Sequence, residues 1–262
     1  STFGASILLN GQQGSDDIRV WGGITADLTI DGGEGDDTVN NSGHISWIYG
    51  GDGNDIINNR PVASVAYDIQ GGSGRDTIRN DFVVYGTIQG NGGADTITNI
   101  VQVDNGIQGN SGDDTIINRG WVTGSILGGG GNDSIENTRS VSQNIEGGVG
   151  NDTITITDRG SVGIDVTGDD GLDTIVNHGQ IGHDILGGAG RDTITNRLTG
   201  TIGNDIGGGG GMDHITNRGT VDDDIQGNGG ADTIVNSGTV AGNIEGNGGE
   251  DEISNAGQVY DI

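Results

Sequence analysis

The sequence contains no cysteine and one proline, and Phe, Trp and Tyr together make up 3% of its 262 residues. Without cysteine the chain can form neither disulfides nor thiolate metal sites. Its 30% hydrophobic content is too low for a thick globular core. No segment approaches the ~18 consecutive apolar residues of a membrane helix, so we expect no membrane insertion. No signal peptide is visible at the start.

Basic residues are also scarce. Ten Lys and Arg stand against 38 Asp and Glu, which gives a formal net charge of −28. Such a surface would repel nucleic acid and anionic lipid, so neither is an expected partner. The same charge favours multivalent cations.

Glycine, in contrast, is abundant, with 57 residues, and it marks an internal repeat. In each repeat an Asp follows a Gly by two residues and precedes an aliphatic residue by two. The spacing between successive Asp residues is 18 to 21 residues from end to end of the chain, a regularity that excludes disorder. These residues are Asp16, Asp37, Asp55, Asp76, Asp95, Asp114, Asp133, Asp152, Asp173, Asp192, Asp213, Asp232 and Asp251.

Three apolar positions recur in each repeat. In the repeat of Asp95 they are Ile97, Val103 and Ile107, each in a short stretch of alternating character that predicts a strand. A unit with three buried aliphatics cannot fold alone, but stacked units cover one another. We predict an all-β chain, a single right-handed parallel β-helix (a β-roll-like solenoid) of about 13 coils of 18–21 residues. It would form one repeat domain over residues 1–262, as a segment of a larger secreted protein.

An Asn follows the Asp by four residues in eleven of the thirteen repeats, the exceptions being Val20 and Ile156. We predict that these Asn side chains stack into a hydrogen-bonded ladder that holds a turn. Insertions of two residues fall outside the Gly-rich loop, and an even insertion keeps the faces of a strand.

The Gly-rich loop has the pattern Gly-x-x-Gly-x-Asp. Its second position is Gly in seven repeats and otherwise Asn, Asp or Gln, so we predict a left-handed backbone there in most repeats. Stacked loops would bring carbonyl oxygens and Asp carboxylates together in an oxygen-only cage, which suits Ca²⁺. The four histidines are scattered, so no zinc or copper column is expected. The predicted ligands are the thirteen Asp carboxylates with loop carbonyls near Gly32, Gly50, Gly71, Gly90, Gly109, Gly128, Gly147, Gly168, Gly187, Gly208, Gly227 and Gly246.

The loop resembles the nonapeptide GGxGxDxUx of RTX proteins, the calcium β-roll repeat of proteins exported by type I secretion. Residues 71–79, Gly-Gly-Ser-Gly-Arg-Asp-Thr-Ile-Arg, and residues 147–155 are the clearest matches. The resemblance implies calcium between stacked loops. RTX β-rolls carry two such loops per coil, whereas this chain has one, followed by a half coil similar to those of autotransporter passenger β-helices. We therefore expect calcium along one edge only.

Thirteen loops leave about twelve gaps, so we expect about 10–12 Ca²⁺. Without calcium the stacked carboxylates would repel one another, and the solenoid should be weakened or unfolded. The alternative is that each Asp only caps its own turn.

Three other functions make different demands on the sequence. A polysaccharide-active β-helix enzyme would need a catalytic cluster that interrupts the repeat, and no such cluster stands out, so we expect no enzyme. An ice- or surface-binding face would use outward Thr rows, such as Thr96 with Thr98 and Thr193 with Thr195, although Arg79, Glu136 and others break the second row. Carbohydrate binding would need exposed aromatics, for which Trp21, Trp47 and Trp121 are candidates.

The expected role is an extracellular calcium-binding structural or adhesive module, secreted and at a bacterial cell surface. The final repeat has no polar segment to cover it, which favours flanking repeats or end-to-end self-association. A cell-surface or glycan partner is also expected, but the sequence does not identify it.

Overall fold

A computed structural model describes residues 7–22 and 27–260, and every regular element in these ranges is a β-strand. No helix in the described ranges is long and apolar enough to cross a bilayer. The chain groups into two compact units, one up to Gly128 and one from Gly129. Each unit is a β-solenoid, and together they contain about 13 coils.

The strands form three parallel sheets, which we name A, B and C. Each coil contributes one strand to each sheet, except that the described residues of the first coil contribute none to sheet C. The Gly-rich loop joins the strand of sheet A to that of sheet B.

In sheet A the strands of the first unit are β1 Ile7–Asn10, β3 Leu28–Glu34, β6 Trp47–Asp52, β9 Ile69–Ser73, β12 Thr87–Gly92 and β15 Gly106–Ser111, followed by β18 Ser125–Gly130, which contains the boundary. Those of the second unit are β21 Ile145–Val149, β24 Val166–Gly171, β27 Ile185–Gly190, β30 Ile206–Gly210, β33 Ile225–Gly229 and β36 Ile244–Gly248.

In sheet B the first unit has β2 Asp17–Val20, β4 Thr38–Asn41, β7 Ile56–Asn59, β10 Thr77–Asn80, β13 Thr96–Asn99 and β16 Thr115–Asn118. The second has β19 Ser134–Asn137, β22 Thr153–Ile156, β25 Thr174–Asn177, β28 Thr193–Asn196, β31 His214–Asn217, β34 Thr233–Asn236 and β37 Glu252–Asn255.

In sheet C the strands are two residues long: β5 His44–Ile45, β8 Ser64–Val65, β11 Val83–Val84, β14 Gln102–Val103 and β17 Trp121–Val122 in the first unit. The second unit has β20 Ser140–Val141, β23 Ser161–Val162, β26 Gln180–Ile181, β29 Thr201–Ile202, β32 Thr220–Val221, β35 Thr239–Val240 and β38 Gln258–Val259.

The core consists of the three predicted aliphatic columns, one per sheet. The parallel register places Ile78 beside Ile97, Val84 beside Val103 and Ile88 beside Ile107, and all six side chains are buried. Within each strand, the residues that alternate with these inward side chains point outward, as the pleat of a strand requires. The prediction of a parallel β-solenoid with three aliphatic columns is therefore confirmed.

The predicted Asn ladder is present at the end of sheet B. The side-chain amide of an Asn donates to the Oδ1 of the Asn in the next coil, as from Asn59 to Asn80 at 2.7 Å and from Asn217 to Asn236 at 2.9 Å, and Ile156 interrupts the ladder after Asn137. The same Oδ1 accepts the backbone N–H two residues ahead, as in the 2.9 Å bond from Gly179 to Asn177. The ladder Asn residues from Asn41 to Asn236 are buried, so the bonds between them satisfy amide groups that water cannot reach.

Three of the four two-residue insertions lie in the turn between sheets B and C, and the insertion of the first coil falls on a segment with residues 23–26, which lie outside the described residues. Residues 61–62, 158–159 and 198–199 form hydrogen-bonded turns there, outside the strands and outside the Gly-rich loop. Leu198 in one of these turns is 82% exposed, so inserted residues do not enter the core.

Candidate metal centre

The Gly-rich loop has nearly the same backbone shape in all described repeats. Its second position has positive φ in all thirteen, including non-glycine residues such as Asn91 at 78° and Asp169 at 74°. Its fourth position is a Gly with positive φ in all repeats except that of Gly171. The predicted left-handed position is confirmed, and it explains why only Gly, Asn, Asp and Gln occur there.

The Asp side chain that ends each loop points into the solenoid. It shares the inward face of the strand with the aliphatic residue two positions on and the Asn four positions on. Asp76 and Asp192 have no exposed surface, and the other Asp residues from Asp37 to Asp232 in this column are at most 2% exposed. The end members Asp16 and Asp251 are partly exposed.

Each buried carboxylate holds the loop of the preceding coil. Its Oδ1 accepts the backbone N–H of the preceding Asp at 2.7–2.9 Å, in five steps from Asp16 to Asp114 and in six from Asp133 to Asp251. The partners are 18 to 21 residues apart, so the bond joins neighbouring coils and does not cap a local turn.

The second carboxylate oxygen, Oδ2, is buried and has no hydrogen-bond partner among the described residues. This is so for Asp16, Asp37, Asp55, Asp76, Asp95, Asp173, Asp192, Asp213 and Asp232. A buried charged oxygen without a partner is costly, so a repeated one points to a cation or a proton. Asp114, Asp133 and Asp152 occupy the same position in their coils.

The first Gly of the loop forms one wall of this buried space. A Cβ on Gly90 would lie 2.3 Å from Asp95 Oδ2 and 2.9 Å from the carbonyl oxygen of Gly109 in the next coil. A Cβ on Gly208 would likewise lie 2.5 Å from Asp213 Oδ2 and 2.7 Å from the Gly227 carbonyl. The structure thus brings the predicted Asp carboxylates and the predicted Gly carbonyls together, one pair per pair of stacked loops.

Burial raises the pKa of several of these carboxyls. Desolvation is the main cause, and the hydrogen bond from the preceding backbone N–H only partly opposes it. The pKa of Asp76 is raised to about 7, and that of Asp55, Asp173 and Asp213 to about 6. The neighbouring carboxylates of the column add to the shift, so a cation there would relieve both desolvation and repulsion.

The donor set fits a hard cation. It consists only of carboxylate and carbonyl oxygens, which Ca²⁺ accepts in a flexible arrangement. The carbonyls at the third loop position serve a different purpose, because they accept the N–H of the fourth-position Gly of the preceding coil, as from Gly74 to Gly92 at 2.6 Å. The loop edge is therefore joined by backbone hydrogen bonds, and the buried Asp Oδ2 atoms lie on its inner side.

A second Asp ladder, which the sequence reasoning missed, lies at the turn from sheet C to sheet A in the second unit. Its members are Asp165, Asp184, Asp205 and Asp224. Here the Oδ1 accepts the N–H of the following coil, for instance Asp205 N–H to Asp184 at 3.0 Å, so the ladder has the opposite direction. The sequence signal is an Asp directly before the third aliphatic position of the repeat.

Asp205, Asp223 and Asp224 at this turn have carboxylate oxygens within 4.8 Å of one another. Burial is the largest cause that raises the pKa of Asp205, and nearby carboxylates add to it. These side chains are only half-buried or exposed, in contrast to the Asp column of the Gly-rich loops.

No protein-family model matches this sequence, and no curated protein matches it. The fold is similar to the crystal structure of a hyperactive, Ca²⁺-dependent, β-helical antifreeze protein from an Antarctic bacterium. The TM-score is 0.59 at 21% sequence identity, over 94% of this chain and 80% of the other. The chain is therefore a β-solenoid, and the RTX resemblance rests on the loop motif alone.

Proposed function

We propose that this chain is an extracellular, calcium-stabilised structural solenoid without catalytic activity. The observation that supports it is that nine Asp residues of the column, five in the first unit and four in the second, have a buried Oδ2 with no hydrogen-bond partner among the described residues, each beside a Gly carbonyl. Five gaps between stacked loops in the first unit and six in the second would each hold a cation. Calcium is favoured over Mg²⁺ because Mg²⁺ retains waters and needs a stricter octahedron.

Two further points agree with calcium in an extracellular setting. Extracellular modules bind Ca²⁺ with dissociation constants of about 10⁻⁴–10⁻³ M, which match an environment rich in calcium. The antifreeze protein of similar fold is itself Ca²⁺-dependent.

The test is the calcium content of the purified chain after gel filtration in calcium buffer, measured by atomic emission. We expect about eleven Ca²⁺ per chain, one per gap. Asp76→Asn keeps the oxygen that accepts the Asp55 N–H but removes the charge, and it should bind about one or two fewer. Asp81→Asn, which alters a surface ion pair with Arg79, is the control and should keep the full content. A wild-type content near zero would refute the proposal.

Ice binding is a second candidate function, supported by the outward face of sheet B in the second unit. From β22 to β34 this face carries ten residues in two in-register rows, namely Thr153, Thr155, Thr174, Val176, Thr193, Thr195, His214, Thr216, Thr233 and Val235. Seven are Thr, and Val176 and Val235 have nearly the shape of Thr. Of the row breaks that we expected from the sequence, Val176 is mild, whereas Glu136 lies in β19 of the same unit and limits this face to β22–β34.

A flat row of methyl and hydroxyl groups at the regular strand spacing of ~4.8 Å is suited to an ordered solid surface. The protein of similar fold is an antifreeze protein, which agrees with this candidate. Thermal hysteresis of the calcium-loaded chain tests it. We expect hysteresis that Thr195→Lys strongly reduces, because a charged side chain breaks the flat face. Thr98→Lys, at the same position of the repeat in the first unit, should leave it unchanged. Absence of hysteresis in the wild type would reject this candidate.

A further inference from the structure

Four aromatic residues of the first unit lie in three successive coils, at or close to the turn from sheet C to sheet A. Trp47 and Tyr67 are stacked, with ring centroids 4.2 Å apart and planes 11° from parallel. Tyr49 lies two residues along β6 on the same outward face. Tyr85 lies at the same turn in the following coil, and Tyr67 and Tyr85 are 49% and 54% exposed. We call these four residues the aromatic surface.

The fold does not need aromatic residues at these positions. The parallel register places Thr29 beside Trp47, and Gln70 beside Tyr49. The same register aligns Gly86 with Tyr67 and Ala66 with Tyr85. Small or polar residues therefore serve the same positions in neighbouring coils, and the core is filled by Ile and Val. Eight of the nine aromatics of the chain lie before residue 129, which concentrates this chemistry in one unit.

Hydrogen-bonding groups surround the aromatic surface. Tyr49 lies between Asp31 and Gln70 in the outward row of sheet A. Its pKa is raised by desolvation first, and then by the nearby carboxylates of Asp68 and Asp31. The row continues through Gln89 and Gln108, whose side chains are hydrogen-bonded at 3.1 Å. Carboxylates, amides and phenol hydroxyls therefore lie beside the exposed rings.

We propose that the aromatic surface binds a neutral polysaccharide, with sugar rings against Trp47, Tyr49, Tyr67 and Tyr85 and hydroxyls bonded to Asp31, Asp68 and Gln70. Tyr and Trp combine an apolar ring with a polar tip, and a sugar ring likewise has apolar C–H faces and hydroxyl edges. The four residues span three successive coils, or ~10 Å along the strand stack, which is enough for more than one sugar ring.

The charge of the surface selects the kind of polysaccharide. The surrounding side chains are acidic or neutral, and the chain has a net charge of −28, so uronate or sulfated polymers would be repelled. A cationic ligand would be attracted to aromatic rings and carboxylates, but it prefers a cage of rings around the charge. Here Trp47 and Tyr67 stack with their centroids 4.2 Å apart, so no space for a cation remains between these two rings.

The experiment is a titration of the full calcium-loaded chain, followed by tryptophan fluorescence and calorimetry. The probes are cello-, xylo-, manno-, malto- and chito-oligosaccharides, with alginate as the anionic probe and tetramethylammonium as the cationic probe. We expect at least one neutral oligosaccharide to bind with a Kd in the range of about 10 µM to 1 mM. Alginate and tetramethylammonium should not compete with it.

The variants use residues that other coils carry at the same positions, so that the solenoid remains folded. Trp47→Thr with Tyr49→Gln and Tyr67→Asn should weaken binding at least about tenfold. Trp121→Gln is the matched control, because it removes an exposed aromatic elsewhere in the same unit and restores the residue type of Gln102 beside it. Circular dichroism verifies that each variant is folded. The proposal is overturned if no neutral probe binds, if only tetramethylammonium or alginate binds, or if Trp121→Gln weakens binding as much as the triple variant.

Discussion

The two units have nearly the same interior and very different exteriors. Both contain aliphatic columns, the buried Asp column and the Asn ladder, with inter-coil distances that agree within a few tenths of an ångström. On the outside, the first unit carries the aromatic surface and a sheet B face with charged residues such as Arg19 and Arg79. The second carries the Thr and Val rows of β22–β34 and the second Asp ladder.

The difference shows which positions the repeat constrains. Inward residues contact the same residue of the next coil, so one type is selected at every level of the stack. Outward residues meet solvent, so each unit is free to display its own chemistry there. We propose that calcium stabilises the interior and that the two exteriors are binding surfaces of different chemistry.

Among single substitutions, replacement of the first Gly of the loop should lower the free energy of unfolding the most, and by the same amount in both units. Gly90→Ala and Gly208→Ala place a methyl group 2.3–2.5 Å from Asp Oδ2, next to a backbone carbonyl, and should each lower the free energy of unfolding by about 3 kcal/mol or more. Denaturant unfolding in calcium buffer measures this.

The matched controls lie two residues further along each loop. Gly92 has no atom within 3.9 Å of its added Cβ and Gly210 has none within 4 Å, so Gly92→Ala and Gly210→Ala should change stability by less than about 0.5 kcal/mol. Equal effects at the first and third loop positions would contradict the role given to the first Gly. A large effect in one unit only would contradict the view that both units have the same interior.

Removal of one Asp should distinguish the two ladders of the second unit. Asp192 is fully buried and Asp184 half-buried, although each accepts one backbone N–H. In calcium buffer Asp192→Ala should lower the unfolding free energy by about 3 kcal/mol, since it removes a buried charge that a cation compensates. Asp184→Ala should lower the unfolding free energy by about 1 kcal/mol, which is typical for the loss of a partly exposed hydrogen bond. Equal costs would show that both ladders serve the same purpose.

The pH dependence of stability should change sign with calcium. In the folded chain the pKa of Asp76 is about 7 and that of Asp173 about 6, above the value of ~3.9 in an unfolded chain. In chelator, the stabilising effect of protonation is therefore complete below pH ~3.9 and is lost as pH rises through 6 to 7. Thermal unfolding in EGTA should thus show a higher Tm at pH 5 than at pH 8.

With saturating calcium the same carboxylates must be ionised to bind the metal, so acid should lower the Tm. A Tm that rises with pH in chelator would contradict the raised pKa values of the column.

The smallest effect on stability is expected on the outer faces. Thr98→Lys and Thr195→Lys replace outward residues of sheet B in the two units and should each change the unfolding free energy by less than about 0.5 kcal/mol. Only Thr195→Lys should nevertheless reduce thermal hysteresis. A large loss of stability from either variant would show that the exterior also supports the fold.

The interior could be predicted from the sequence because the residues that form it recur once in every sequence repeat. The aliphatic positions, the Asn ladder and the left-handed loop position recur at fixed offsets from the Asp. The inward direction of the Asp could also have been predicted, because Asp95, Ile97 and Asn99 alternate with outward residues on one strand.

The aromatic surface could not be predicted in this way. Trp47, Tyr67 and Tyr85 occupy different offsets in three coils, and only the register and the turn geometry bring them together. The second Asp ladder lies in a turn, where strand alternation does not apply, so its hydrogen-bond direction required the structure.

The central claim is that calcium stabilises both units from within. The most direct measurement is thermal unfolding followed by circular dichroism in calcium, in EGTA, and in EGTA with excess Mg²⁺. We predict that EGTA lowers the Tm by more than about 20 °C or unfolds the chain, that calcium restores it, and that Mg²⁺ does not. A Tm and strand content that are the same in all three buffers would contradict the account.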